Sequence, residues 1–155
     1  MDEKKPTAQD RIDAANARRR KQQESEAAAK CEQAALDIEA IADLESAEGF
    51  DRIIAIGLES VWKPGMGAPT RVAFIVPLGS DGLAQRFIET INKHKEGSRE
   101  RLAAQDALAI ECWRYPEKGS DAYKAARELA PLILSNAALQ IVKATQGKAQ
   151  EEGKD

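Results

Sequence analysis

Leu108-Ala-Ile-Glu-Cys-Trp-Arg-Tyr-Pro116 is the stretch on which the fold turns. It reads as the last turns of a helix, two aromatic anchors and a stop at Pro116. A residue before proline is pushed out of the helical region, so the helix is predicted to end near Arg114. Trp113 is expected as a core anchor rather than a binding platform. Tyr115 and Pro116 complete the structural anchor. Cys112 lies in the apolar stripe of the same helix and reads as a small buried hydrophobe, not a nucleophile.

Upstream, Ser98 is a helix N-cap, and Leu102, Leu108, Ala109, Cys112 and Trp113 fall on one broad face of the helix that follows. Before it, Leu83, Phe87, Ile88 and Ile91 make a second apolar stripe, with Ser80 or Asp81 as its cap. Two strands are predicted further back. Arg52 to Trp62 is rich in β-branched residues, with Gly57 marking a bulge, and Arg71-Val-Ala-Phe-Ile-Val-Pro-Leu78 is the stronger strand. Pro77 belongs at its end or on an edge. The intervening Lys63-Pro-Gly-Met-Gly-Ala-Pro69 is a loop, so an antiparallel hairpin is the simplest topology. The loop lacks the phosphate-binding glycine pattern and a following helix start.

Downstream of Pro116, Ser120 caps another helix. Pro131 interrupts it, either as a kink or as the first turn of a new helix. Leu129 to Val142 is apolar nearly all round, which predicts burial against the domain or a partner. The N-terminal segment is polar and built of good helix formers, with Arg20–Glu24 and Glu26–Lys30 at supporting spacing. It is expected to be a solvated helix that frays, or a disordered arm. Ile38, Ile41 and Leu44 then begin an amphipathic helix that ends before Gly49. The expected organisation is a charged arm over residues 1–30, an α+β globular domain over 31–146 and a charged tail over 147–155. The fold class is α+β, a two-stranded antiparallel hairpin packed with a small helical bundle and preceded by that arm.

A net charge of −3 gives no global attraction to nucleic acid or an anionic surface. Arg18-Arg19-Arg20-Lys21 is the one basic run, and Glu24 and Glu26 balance it. Two distant cysteines, Cys31 and Cys112, form neither a disulfide framework nor a zinc pattern. No apolar stretch follows Met1-Asp-Glu-Lys-Lys5 or is long enough to span a bilayer, so a chain without a leader or membrane contact is expected. The single histidine, His94, sits between lysines near a helix end, and no carboxylate pair stands out. Enzyme activity, metal sites and cofactors are therefore not expected.

The run from Arg71-Val-Ala-Phe-Ile-Val-Pro-Leu78 through Leu108 to Pro116 and on to Ala130-Pro-Leu-Ile-Leu134 resembles the tail assembly chaperones of long-tailed phages. In those proteins a helix ends in an apolar-Cys-x-x-Tyr-Pro turn. A second helix with an early proline follows, then a glycine and a charged tail, matched here by Gln146-Gly-Lys148. The likeness covers residues 71–155 and leaves the N-terminal arm outside it. It implies a protein of the host cytoplasm that binds and solubilises the tape-measure protein while tail-tube subunits assemble around it. Leu132, Leu134, Leu139 and Val142 are the expected partner-binding residues. A structural or adaptor component of the phage particle is the alternative, a further copy of the chain is another candidate partner, and a nucleic-acid binder using Arg18 to Lys21 is a third class.

Overall fold

A computed structural model describes residues 3–78 and 82–152, with the side chains of residues 83, 84 and 148–152 excepted. It begins with one helix, α1, over Ala8–Glu48. No glycine or proline interrupts these residues, so nothing in the backbone chemistry ends the helix before Gly49. A capping box starts it. Thr7 Oγ1 accepts from the Asp10 N–H at 3.1 Å, and Asp10 Oδ2 accepts from the Thr7 N–H at 2.8 Å. The bonds from the Thr7 side chain and backbone hold the Asp10 carboxyl below the usual carboxylate range. At the far end Gly49 takes a positive φ of 108°, and its N–H donates to the Glu45 carbonyl. The 41 residues make a rod about 60 Å long at 1.5 Å per residue. It runs unbroken through the boundary expected at residue 30.

After a single 3-10 turn at Phe50–Arg52 come β1 (Ile53–Gly57) and β2 (Arg71–Ile75), then α2 (Gly82–Lys93) and α3 (Arg99–Cys112). β3 (Trp113–Tyr115), α4 (Asp121–Leu129) and α5 (Ile133–Glu152) complete the order. The architecture is α+β, with a three-stranded antiparallel sheet in the order β1-β2-β3 where two strands were expected. The third strand is the stretch that reads as a helix end. α3 stops at Cys112, and Trp113 takes an extended backbone with φ −63° and ψ 131°.

β2 is central, and Val72, Ala73, Phe74, Ile75 and Val76 are all buried. Its register with β1 puts Ile54 opposite Phe74 and Ile56 opposite Val72. Alternation sends this set to one face of the sheet, where α3 and α5 supply Leu108, Ala109, Cys112, Ala137, Ala138 and Ile141. Ala73 and Ile75 point to the other face, which α1 covers.

β3 pairs irregularly with β2. Ala73 stands opposite Tyr115 and Phe74 opposite Trp113, so Arg114 is an extra residue, a bulge. In a regular strand Trp113 and Tyr115 would share a face. The bulge separates them. Trp113 enters the helical core, edge-on to Phe74 at 5.0 Å, and its Nε1–H donates to the Pro116 carbonyl at 2.7 Å. Tyr115 turns toward α1, where its hydroxyl donates to Asp37 Oδ1 at 2.6 Å. Pro116 is buried, and the Tyr115–Pro116 peptide is cis. The expected bulge at Gly57 is absent, since Gly57 pairs regularly with Arg71.

Asp37 is fully buried. Its Oδ2 accepts from both the backbone N–H and the hydroxyl of Thr70, each at 2.6 Å, while Oδ1 accepts from Tyr115 and from Gln33 Nε2. One carboxylate thus ties the middle of α1 to the entry of β2 and to β3. It also rotates the helix. Asp37 and Ile41 face the sheet and Leu44 is half-buried, whereas Ile38, expected in the buried stripe, is 48% exposed. A second tie lies alongside. Lys30 Nζ donates to the Glu59 carbonyl at 2.9 Å, and Arg71 Nε donates to Glu59 Oε1 at 2.9 Å. Burial pushes the Glu59 carboxyl up, but its own N–H and Arg71 outweigh that and hold it below the usual range.

The loop from Leu58 to Thr70 is packed. The Leu58 N–H donates to the Thr70 carbonyl at 2.6 Å, and Trp62 Nε1–H donates to the Ala68 carbonyl at 2.7 Å. Gly65 and Gly67 take positive φ of 83° and 70° here, where a Cβ would be strained. Trp62, expected in the first strand, belongs to this loop, because that strand ends at Gly57. Pro77 is buried two residues past the end of β2, as its missing N–H requires. Along α3, Leu108, Ala109 and Cys112 are buried as expected, while Leu102 is 43% exposed. The structure separates α4 from α5 around Pro131, and α5 continues helically past Gly147 to Glu152, into the segment expected as a tail. The expected cap at Ser80 or Asp81 lies outside the described residues.

Tyr115 gives this arrangement a pH signature. Burial first, then the hydrogen bond to Asp37 and its negative charge, push the phenol well above its ordinary value of 10.0. Its folded pKa is raised, so its contribution is complete below about pH 10 and is lost as pH climbs toward the folded value. Urea midpoints are expected to hold from pH 8 to about 10 and then fall. Tyr115→Phe, less stable at pH 8 by about 1–2 kcal/mol, is expected to fall less steeply over the alkaline range.

Candidate partner-binding surface

α5 meets the sheet and α3 through a narrow inner face. Ile133, Leu134, Ala137, Ala138 and Ile141 are buried there. The two alanines carry no bulk beyond Cβ and let the helix lie close to Leu108 and Ala109 of α3. Sequence reasoning groups Leu132, Leu134, Leu139 and Val142 as one contact face, and the structure divides them. Leu134 is 5% exposed and belongs to the core. Val142 is half-buried and packs against that core. Leu132, in the turn just before α5, is 78% exposed, and Leu139 of α5 is 54% exposed. Asn136 lies between them and Gln140 next to Leu139, and the two bond to each other, Gln140 Nε2 donating to Asn136 Oδ1 at 3.1 Å. The outer side of α5 is therefore mixed, two leucines within a polar strip.

Between α3, α4 and the start of α5 the surface dips into an open hollow floored by Ile133 and Leu134. Asp106 of α3, Lys124, Arg127 and Glu128 of α4 and Pro131 form its rim, and Tyr123 its wall. Tyr123 is held from both sides. Its ring stands edge-on to Trp113 at 4.8 Å and an interplanar angle of 81°, and the Arg127 guanidinium lies over it at 5.6 Å. Phe74, Trp113 and Tyr123 thus form an unbroken aromatic row from the central strand to the surface. Sequence reasoning identified Trp113 as an anchor and missed Tyr123 and Arg127. The available signal was their i,i+4 spacing on one face of a nine-residue helix.

The remaining sequence candidates are dispersed. Cys31 is exposed on α1 and Cys112 is buried in α3. His94 lies just beyond α2, and its carbonyl accepts from Arg101 Nη1. Among the described residues, no three His, Cys, Asp or Glu side chains come close enough to hold a metal ion, and no helix is long and apolar enough to cross a membrane. No protein-family model matches the chain, and no curated protein or solved structure matches it.

The division of the leucines is measurable. Leu134→Ala is expected to lower the unfolding free energy by about 2–5 kcal/mol, through lost burial and the cavity left behind. Leu132→Ala is expected to change it by no more than about 0.5 kcal/mol. Urea unfolding of the two variants checks both values.

Proposed function

We propose that the chain is a tail assembly chaperone of the long-tailed phage type, acting in the host cytoplasm, and that it binds and solubilises the tape-measure protein through the outer side of α5 during tail assembly. The exposure of Leu139 on α5 and of Leu132 in the turn just before it, beside a helix whose inner face is already filled, carries this reading. A tape-measure helix would lay its apolar stripe across the two leucines, in the helix-in-groove manner. Tyr123 and Arg127 would supply a rigid aromatic and a planar cation at the end of that contact, residue types that dominate binding energy at interfaces. Leu134 would contribute by fixing α5 in place rather than by touching the partner. The activity is one of covering surface, with no covalent step.

The free half of α1 supports a second reading. Residues 8–28 are exposed throughout, as expected for an arm that orders against neighbouring subunits of a structural or adaptor component. Mass spectrometry of purified virions separates the two, because an assembly factor is absent from the finished particle. For the first reading, co-expression with the tape-measure protein is expected to keep that protein in the soluble fraction and to co-purify it. The Leu132→Asp/Leu139→Asp variant is expected to retain less than about one tenth of the bound partner. A wild-type chain that neither binds nor solubilises the tape-measure protein contradicts the proposal.

A further inference from the structure

The free half of α1 holds the basic run Arg18 to Lys21, flanked by Asp10, Asp13, Glu24 and Glu26, whereas the docked half beyond Cys31 is acidic throughout. Between Ala14 and Gln23 there are four basic residues, Arg18 to Lys21, and no acid. Between Cys31 and Glu48 the acids are Glu32, Asp37, Glu39, Asp43, Glu45 and Glu48, with no Lys or Arg among them. The charges are sorted around the helix as well. At about 100° per residue, Arg11, Arg18 and Lys21 of the free half and Glu32, Glu39 and Asp43 of the docked half all fall within one arc of about 80°. All six are exposed, and among the described residues none is in an ion pair. In the adjoining arc the docked half presents exposed Cys31, Ala35, Ile38 and Ala42. This side points away from Asp37 and Ile41, which hold the helix to the sheet.

We infer that α1 is the contact surface for a second copy of this chain, with the two helices running antiparallel about a two-fold axis near residues 28–31. The argument is charge complementarity. Such an axis brings the same side of both helices together, so each basic set meets the partner's acidic set twice over. Lys21 falls opposite Glu39, and Arg18 opposite Asp43, of the other copy. A parallel pair would set Arg18 to Lys21 against its own image and is repelled. The lengths agree too. The arm that stands clear of the domain, residues 8–28, spans the same distance as the half that lies on it, residues 29–48. The partner's arm would cover the outer side of the docked half, along Glu32, Glu39 and Asp43. The two globular units would then sit at opposite ends of the paired rods, leaving both α5 surfaces free. This inference uses a different surface from the proposed partner-binding face and does not depend on it.

Sedimentation equilibrium of the full chain tests it. The expected mass is twice the 16.9 kDa of one chain, with a dissociation constant that rises roughly tenfold between about 0.05 M and 0.5 M salt. The variants Arg18→Glu/Lys21→Glu and Glu39→Lys/Asp43→Lys change only exposed positions, and circular dichroism is expected to show unchanged helicity in both. Each alone is expected to be monomeric. Mixed, they are expected to form a heterodimer within about threefold of the wild-type affinity, since both contacts are again complementary. A wild-type chain that stays at 16.9 kDa up to about 0.2 mM, whether or not its arm binds a DNA duplex, overturns the inference. So does a dimer that survives either charge reversal, or a mixture that fails to pair.

Discussion

A carboxylate with no access to water is tolerated only when donors replace the hydration it has lost, because an uncompensated buried charge costs several kcal/mol. Asp37 has four such donors, two from Thr70 and one each from Tyr115 and Gln33. They come from the loop before β2, from β3 and from α1 itself. The positions of the helix, the loop and the third strand are therefore mutually dependent. Moving any one of them leaves a buried charge or a buried donor unmatched. The ties from Lys30 and Arg71 to Glu59 are partly exposed and screened, and they contribute less.

The bulge at Arg114 lets one three-residue strand serve two layers. Trp113 fills the core between the sheet and the helices, and Tyr115 reaches through the other face to Asp37. The same device links the interior to the surface. The ring of Trp113 supports Tyr123, which with Arg127 lines the hollow at the start of α5. A surface aromatic propped by a core aromatic has little side-chain freedom left to lose on binding, which favours its use as an anchor.

Much of this was legible in the sequence, for identifiable reasons. β2 announces itself as a continuous apolar run, and the two-proline, two-glycine segment before it is a loop on chemistry alone. Ser98 and Ser120 cap helices as expected, and Trp113 is a core anchor. The third strand was hidden because Trp113-Arg-Tyr115 continues a helical stripe without a break, and only pairing with β2 makes it extended. The rotation of α1 was hidden because an aspartate looks like a solvent-facing residue until its partners, distant in sequence, are known. Leu134 and Leu132 could not be told apart by hydropathy, since burial on α5 is decided by where α3 lies. The polar, alanine-rich first half of α1 carries no apolar stripe, so pattern alone could not show it as the same helix that docks on the sheet.

The central claim is that Asp37 and Tyr115 act together to lock α1 to the sheet, and a double-mutant cycle measures that directly. Unfolding free energies would be determined for wild type, Asp37→Ala, Tyr115→Phe and the double variant. The predicted result is a coupling of about 1–3 kcal/mol, with the double variant far less damaged than the sum of the singles. Additive losses, with coupling below about 0.3 kcal/mol, would contradict the account.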